Sequence, residues 1–295
     1  MSSKPLFEWT SVLFEYVGFT ASFSMLGAIG FRFAILRSSL RDVETNNDQA
    51  FDRALSRAAH VGLVGVALGV ASLIEGLLKR ADSKHITFAE AFSAGGPTVA
   101  AQTALLGVLL VSFFLARRRL PVAWQVAGVA TIAFTLRNVL SGRLKAMVNP
   151  LHVLGGGLWI GTLFVLVVCG VREMMHASVT VEARESAVAT MVRRFSPLAL
   201  FGAGLLGLTG VTTAWTHLKR LDALWTTPYG YVLDAKLVVV GLVLLLGAWN
   251  WRRVGPALGH DGGAKTIHRT ASLELAVAAI VLGLTSVLVS VPSPK

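Results

Sequence analysis

The chain has 295 residues, 54% of them apolar and only 15% charged, with a mean hydropathy of +0.65. So little charge excludes an ordinary soluble domain and points to a polytopic membrane protein. The net charge of +11, from 27 Lys+Arg against 16 Asp+Glu, reads as cytoplasmic-loop bias and attraction to anionic lipid, not as nucleic-acid binding.

A helix needs roughly 20 apolar residues to cross the hydrocarbon core. Eight stretches meet that need: 10–36, 55–78, 98–116, 121–138, 149–171, 195–216, 230–251 and 270–291. The first is read as a retained crossing, because no short apolar core followed by a small-residue cleavage site is present. Pro97, Pro121, Pro150 and Pro197 are expected at or just inside helix starts, where a missing N–H costs nothing. The expected fold is an all-α membrane bundle of about eight crossings. An even count puts both termini on one side. Arg117-Arg118-Arg119 and Arg193-Arg194 fall in odd-numbered loops, which makes those loops cytoplasmic and places both termini outside. Residues 172–194, with Val179, Val181, Ala187, Val188 and Met191 among charges, are expected as a short amphipathic helix on the membrane surface.

The fifth crossing holds the densest set of unusual residues, NPLHVLGGGLWIGTLF at 149–164. His152, Gly155, Gly156 and Trp159 recur at i, i+3, i+4 and i+7, so they share one helix face. Gly157 and Gly161 form a GxxxG on roughly the opposite face, where a neighbouring backbone can approach closely. Small residues on two faces place this helix in the middle of the bundle. His152 then sits about one turn below the outer surface, with the glycines leaving space beside its ring and Trp159 flooring that space. An intramembrane ionisable residue is a functional candidate. Packing glycines and a histidine that hydrogen-bonds a carbonyl remain the plainer alternative.

NPLHVLGGGLWIGTLF resembles the LH-x-x-x-x-x-x-W-x-G segment of the copper resistance protein D family of bacterial inner-membrane proteins. RFSPLALFGAGLLGLTGVTTAW (194–215), TPYGYVLDAKLVVVGLVLLLGAWNWRRVGP (227–256) and SLELAVAAIVLGLTSVLVSVPSP (272–294) resemble the family's next three spans in order. The resemblance divides the chain into a four-crossing half over 1–148, without a motif, and a four-crossing copper-resistance-D-like half over 149–295. It implies copper handling or import across the bacterial cytoplasmic membrane, with the lipid bilayer around it and a periplasmic copper-binding protein as partner. One departure stands out: many members carry a Gly-His pair shortly before the span-five histidine, where this chain has Ser141-Gly142-Arg143.

Copper(I) is soft and accepts thioether, thiolate and imidazole ligands in low coordination number. His152 at the start of span five and His217 at the end of span six are expected at similar depth. Met147, five residues before His152, can approach the same point, and His85 is a further outer candidate. The expected outer site is Met147, His152 and His217. Cys169, Met175 and His176, with Met174 beside them, are candidates for an inner exit on the same helix. Each residue also has a bland reading: Met147 as interfacial, His217 as a polar cap, Cys169 as a small core residue. Asp234 and Lys236 are expected in a polar cluster with Tyr229, as a buried charge pair or snorkelling groups, with a membrane ion relay as the alternative. His60 and Glu274, at matching depth, are candidates for a pair, with no sequence signal that their helices touch. With no nucleotide-binding loop and no nucleophile–base–acid set, the chain does not read as an enzyme.

Two rivals come from other classes. A b-type haem electron carrier needs two histidines at matched depth, which His152 with His217 would supply and His60 with His152 would not. A structural or assembly subunit of an oxidase, or a homo-oligomer, needs the polar groups only to hold the bundle together.

Overall fold

The computed structural model describes residues 8–36, 48–137, 144–218, 222–254 and 262–291. The described chain is almost wholly helical, in ten helices: α1 (Trp9–Ile35), α2 (Asp48–Lys84), α3 (Phe88–Ser93), α4 (Gly96–Arg117), α5 (Pro121–Leu136), α6 (Leu144–His176), α7 (Val181–Leu218), α8 (Ala223–Thr226), α9 (Pro228–Arg252) and α10 (Gly263–Ser290). Seven of them are long and apolar enough to cross a membrane. The eighth expected crossing is α5, whose 16 residues give about 24 Å, less than the roughly 30 Å hydrocarbon core.

Helix starts follow local chemistry. Pro97 and Pro121 occupy the first turns of α4 and α5, and Pro228 that of α9, where Thr227 Oγ1 also accepts from Gly230 N at 3.1 Å. Ahead of α3, Thr87 and Glu90 close a reciprocal capping box. Pro150 and Pro197 depart from expectation: both lie inside helices, Pro150 in the helix beginning at Leu144 and Pro197 well within α7. Residues 181–194 are not a surface helix either. They are the first turns of the 38-residue α7, held upright because Ala187, Val188 and Met191 are buried in the core.

At the centre of the bundle stands α6. Two-thirds (67%) of its apolar stretch is buried, against 11–44% for the other crossings. The reason is glycine. A Cβ on Gly27 of α1 would strike the backbone of Gly161, and one on Gly161 would strike Phe23 O, so α1 and α6 cross backbone to backbone. On another side, a Cβ on Gly155 would meet Gly202 O of α7, and one on Gly202 would meet Gly155 O. The expectation that 149–164 lies mid-bundle with close helix approach on two faces is met. Among the described residues four turns widen to π geometry, at 31–35, 157–161, 166–171 and 250–254; such turns often mark functional sites.

The end of the bundle that carries Arg53, Arg57, Arg117, Arg172 and Arg193 is termed the basic side. There Glu173, 3% exposed, receives Arg53 Nε at 3.1 Å and an ion pair from Arg57, tying α2 to the end of α6. Glu185 of α7 accepts from Ala264 N at 2.7 Å and caps the start of α10. The chain turns into α10 through Gly262 at φ +84°, a left-handed backbone that suits glycine.

Candidate functional site

His152 is half-buried on α6 and points at α7. Its Nδ1 lies 2.9 Å from Thr209 Oγ1, and its Cε1 would stand 3.5 Å from a Cβ on Gly210. Thr209 Oγ1 sits 2.6 Å from Leu205 O, to which its single hydrogen is directed. The hydroxyl therefore accepts from His152, and a neutral ring carries its proton on Nδ1 and its lone pair on Nε2. This is the arrangement in which a histidine binds metal, with the other ring nitrogen held by a hydrogen-bond partner. The Lys236 ammonium of α9, half-buried, is close enough for its charge to act on the ring.

The α6–α7 contacts fix an antiparallel register: residue 152 lies against 209–210, 155 against 202 and 206, and 159 against 202. His217 is eight residues past Thr209, about 12 Å farther along the axis. His152 and His217 are thus not at matched depth, because the glycine contacts rather than equal helix lengths set the register. Met147 lies five residues before His152, between those two levels. The side chains of Met147 and His217 lie outside the described residues, as does Ser141-Gly142-Arg143. The matched pair that a bis-histidine haem needs is not what these backbone positions offer.

The glycines do not leave an open space beside the imidazole. Gly155 is closed by Gly202 and Leu206, and Gly156 by the Phe23 ring of α1. His152, Gly155 and Trp159 keep to the face toward α7, whereas Gly156 turns to α1. Trp159 does not floor the histidine: its indole lies near enough to act on the Glu274 carboxyl of α10. Asn250 Nδ2 of α9 donates to the same group, Glu274 Oε2, at 3.1 Å. Glu274 is accordingly not paired with His60, which is exposed on α2. Sequence reading missed the grouping of Trp159, Asn250 and Glu274, although each stands within one of the four quoted stretches.

Toward the basic side, Cys169 is buried and lies in the field of Arg57, Glu173 and Arg172. Met174 is fully buried, Met175 half-buried, and His176 exposed with Nδ1 2.8 Å from Arg172 O. Asp234 is half-buried on α9, Tyr229 is buried at its start, and His85 is exposed after α2 with φ +52°. Among the described residues no three His, Cys, Asp or Glu side chains are placed to hold one metal ion.

Residues 189–288 match the protein-family model for copper resistance protein D. That stretch is similar to a copper resistance protein D domain. It takes in α7 from its third turn, all of α9 and nearly all of α10, so Thr209, Lys236, Asn250 and Glu274 fall within it. His152 and Trp159 of α6 lie outside the matched residues and pack against α7 within them. Over 220 residues the chain is 27% identical to the copper transport protein CutJ of Bacillus subtilis (strain 168), a match covering 68% of this chain and 38% of that protein. The chain spans well under half the length of the curated relative it matches. No solved structure matches it.

Proposed function

We propose that this chain is a multi-pass copper-handling protein of the cytoplasmic membrane that binds Cu(I) at the outer end of α6 and passes it inward. The observation that carries this reading is the Thr209-held ring of His152, which leaves Nε2 as the lone-pair nitrogen, packed against a stretch that matches the copper resistance protein D model. In the proposed sequence His217, Met147 and His152 act as successive donors at increasing depth, not as one three-coordinate site. A series of low-coordinate soft donors suits a conducted Cu(I) ion, which must be held at each step without being trapped. Lys236 adds positive charge beside the ring, which favours weak, transient occupancy over storage. Release on the basic side passes Cys169, with Met175 and His176 on the next turns. A periplasmic copper-binding protein supplies the ion in this scheme.

The test is Cu(I) uptake into proteoliposomes by wild type and His152→Ala, with orientation established by protease access. Uptake is expected to fall at least tenfold in the variant. Equal uptake by the two proteins would end the mechanism. A Soret band in the purified protein that disappears with His152→Ala would instead make the ring a haem ligand.

A further inference from the structure

About seven residues along α6 from His152, on its basic side, lies a polar cluster that the copper scheme does not use. Glu274, 5% exposed, accepts from Asn250 Nδ2, and the Trp159 indole lies near enough to act on it. Asn250 is 9% exposed, and its Oδ1 is buried with no hydrogen-bond partner among the described residues. A Cβ at Gly247 would stand 3.5 Å from Glu274 Oε1, so this glycine keeps side-chain bulk off that oxygen.

An ionised carboxylate only accepts hydrogen bonds. It can take the Asn250 N–H, but it has nothing to give Asn250 Oδ1. Turning the amide over merely exchanges the orphan, because Oδ1 would then face a carboxylate oxygen. A protonated carboxyl does supply the missing donor: its O–H pairs with Oδ1 while the amide N–H pairs with the other oxygen. A buried acceptor left unpaired is costly, so the proton has a structural consequence here. The ionised form, for its part, is supported by the Asn250 N–H. Both states are thus held by the same amide, and they differ by one proton.

Charged neighbours are engaged elsewhere. The groups acting on the Glu274 carboxyl are Asn250 and Trp159, both neutral. On α6, Cys169 and Glu173 sit with Arg57; on α7, Glu185 is bonded to Ala264 N and Arg194 to Ile35 O. On α9 Lys236 acts on His152, and on α1 Glu15 lies in the field of Lys79 and Glu75 while Arg32 bonds Leu36 O. His268 and Arg269 lie more than one turn nearer the start of α10. A carboxyl and an amide are hard oxygen donors, poorly matched to Cu(I).

We propose that Glu274, held by Asn250 beside Trp159, is a proton-exchange site that gives up its proton to water when His152 releases a cation toward it and regains it when the cation has left. This rests on the reading of His152 as a copper site. Two unit charges about 10 Å apart, at an effective dielectric near 20, change each other's binding on the order of tenfold. The exchange is one cation gained against one proton lost, with no change of oxidation state.

The experiment uses the whole chain in nanodiscs and pH-difference infrared spectroscopy, with Cu(I) kept reduced by ascorbate. Wild type is expected to show a carboxylic-acid band on acidification that Glu274→Gln lacks, while Glu274→Asp retains one of its own. Cu(I) at fixed pH should diminish the wild-type band and leave that of His152→Ala unchanged. A full wild-type band set in Glu274→Gln overturns the proton site regardless of copper. A Glu274 band indifferent to Cu(I), in a protein that binds the metal, overturns the coupling. Failure of wild type to bind Cu(I) removes the copper reading and the coupling built on it, while the band still decides the proton site.

Discussion

The Nδ1 atom of His152 lies 2.9 Å from Thr209 Oγ1, and that hydroxyl's own hydrogen is directed to Leu205 O at 2.6 Å. A threonine one helix away thus decides which nitrogen of the imidazole is the Lewis base. A hydroxyl with one hydrogen cannot donate to both partners, and the shorter contact to an unbranched carbonyl acceptor takes it. The consequence is a histidine whose orientation and tautomer are set before any ligand arrives.

Thr209→Val keeps the shape of the side chain and removes the acceptor. Loss of such a supporting partner lowers metal affinity by about 10- to 100-fold. Competition against a chromogenic Cu(I) chelator should read that fall, with Thr209→Ser close to wild type. Undiminished affinity in Thr209→Val means the tautomer argument carries no weight for binding.

Gly161→Ala puts a methyl group against the backbone of Phe23, where no side chain can yield. Overpacking of this kind costs about 1–3 kcal/mol. The midpoint of thermal unfolding in detergent should drop accordingly. Gly204→Ala, whose Cβ meets nothing within 4 Å, is expected to leave the midpoint in place.

Glu185→Ala removes a buried carboxylate from the first turn of α10 and leaves Ala264 N–H without its acceptor. A hydrogen bond to a charged group contributes about 1.5–3 kcal/mol. Hydrogen exchange at residues 263–267 should accelerate, and the later turns of α10 should be little affected.

Glu90 lies outside the crossings, and the hydrogen bonds from Thr87 hold its carboxyl below the usual glutamate range. A depressed folded-state value means the cap stabilises α3 at and above the ordinary glutamate range. That contribution is lost as pH falls through the depressed value. Protection from amide exchange at 88–93, relative to the intrinsic rate at each pH, is therefore expected to fall only on acidification, and in Glu90→Gln that fall should vanish.

Much of this architecture is legible one residue at a time. The run from Leu151 to Val171 declares a crossing by its own hydropathy, and Pro121 and Pro228 announce helix starts by their own missing N–H groups. Gly157 and Gly161 likewise signal close approach before any partner is known. The same local logic fails at Pro197, which sits inside a helix because distant core contacts hold residues 181–194 in line with the crossing. It fails again for His60 and Glu274, whose matched depths suggest a pair that the helix arrangement does not make.

The sequence alone determined where the chain is apolar enough to enter a membrane, and in what order, since partition into lipid depends on each segment's composition. Only the tertiary structure decided which polar groups meet. Thr209 finds His152, and Glu274 finds Trp159 and Asn250, because glycine contacts such as Gly155 against Gly202 lock the helices in one register. Register is a property of pairs of helices far apart in the chain, so no window of sequence contains it.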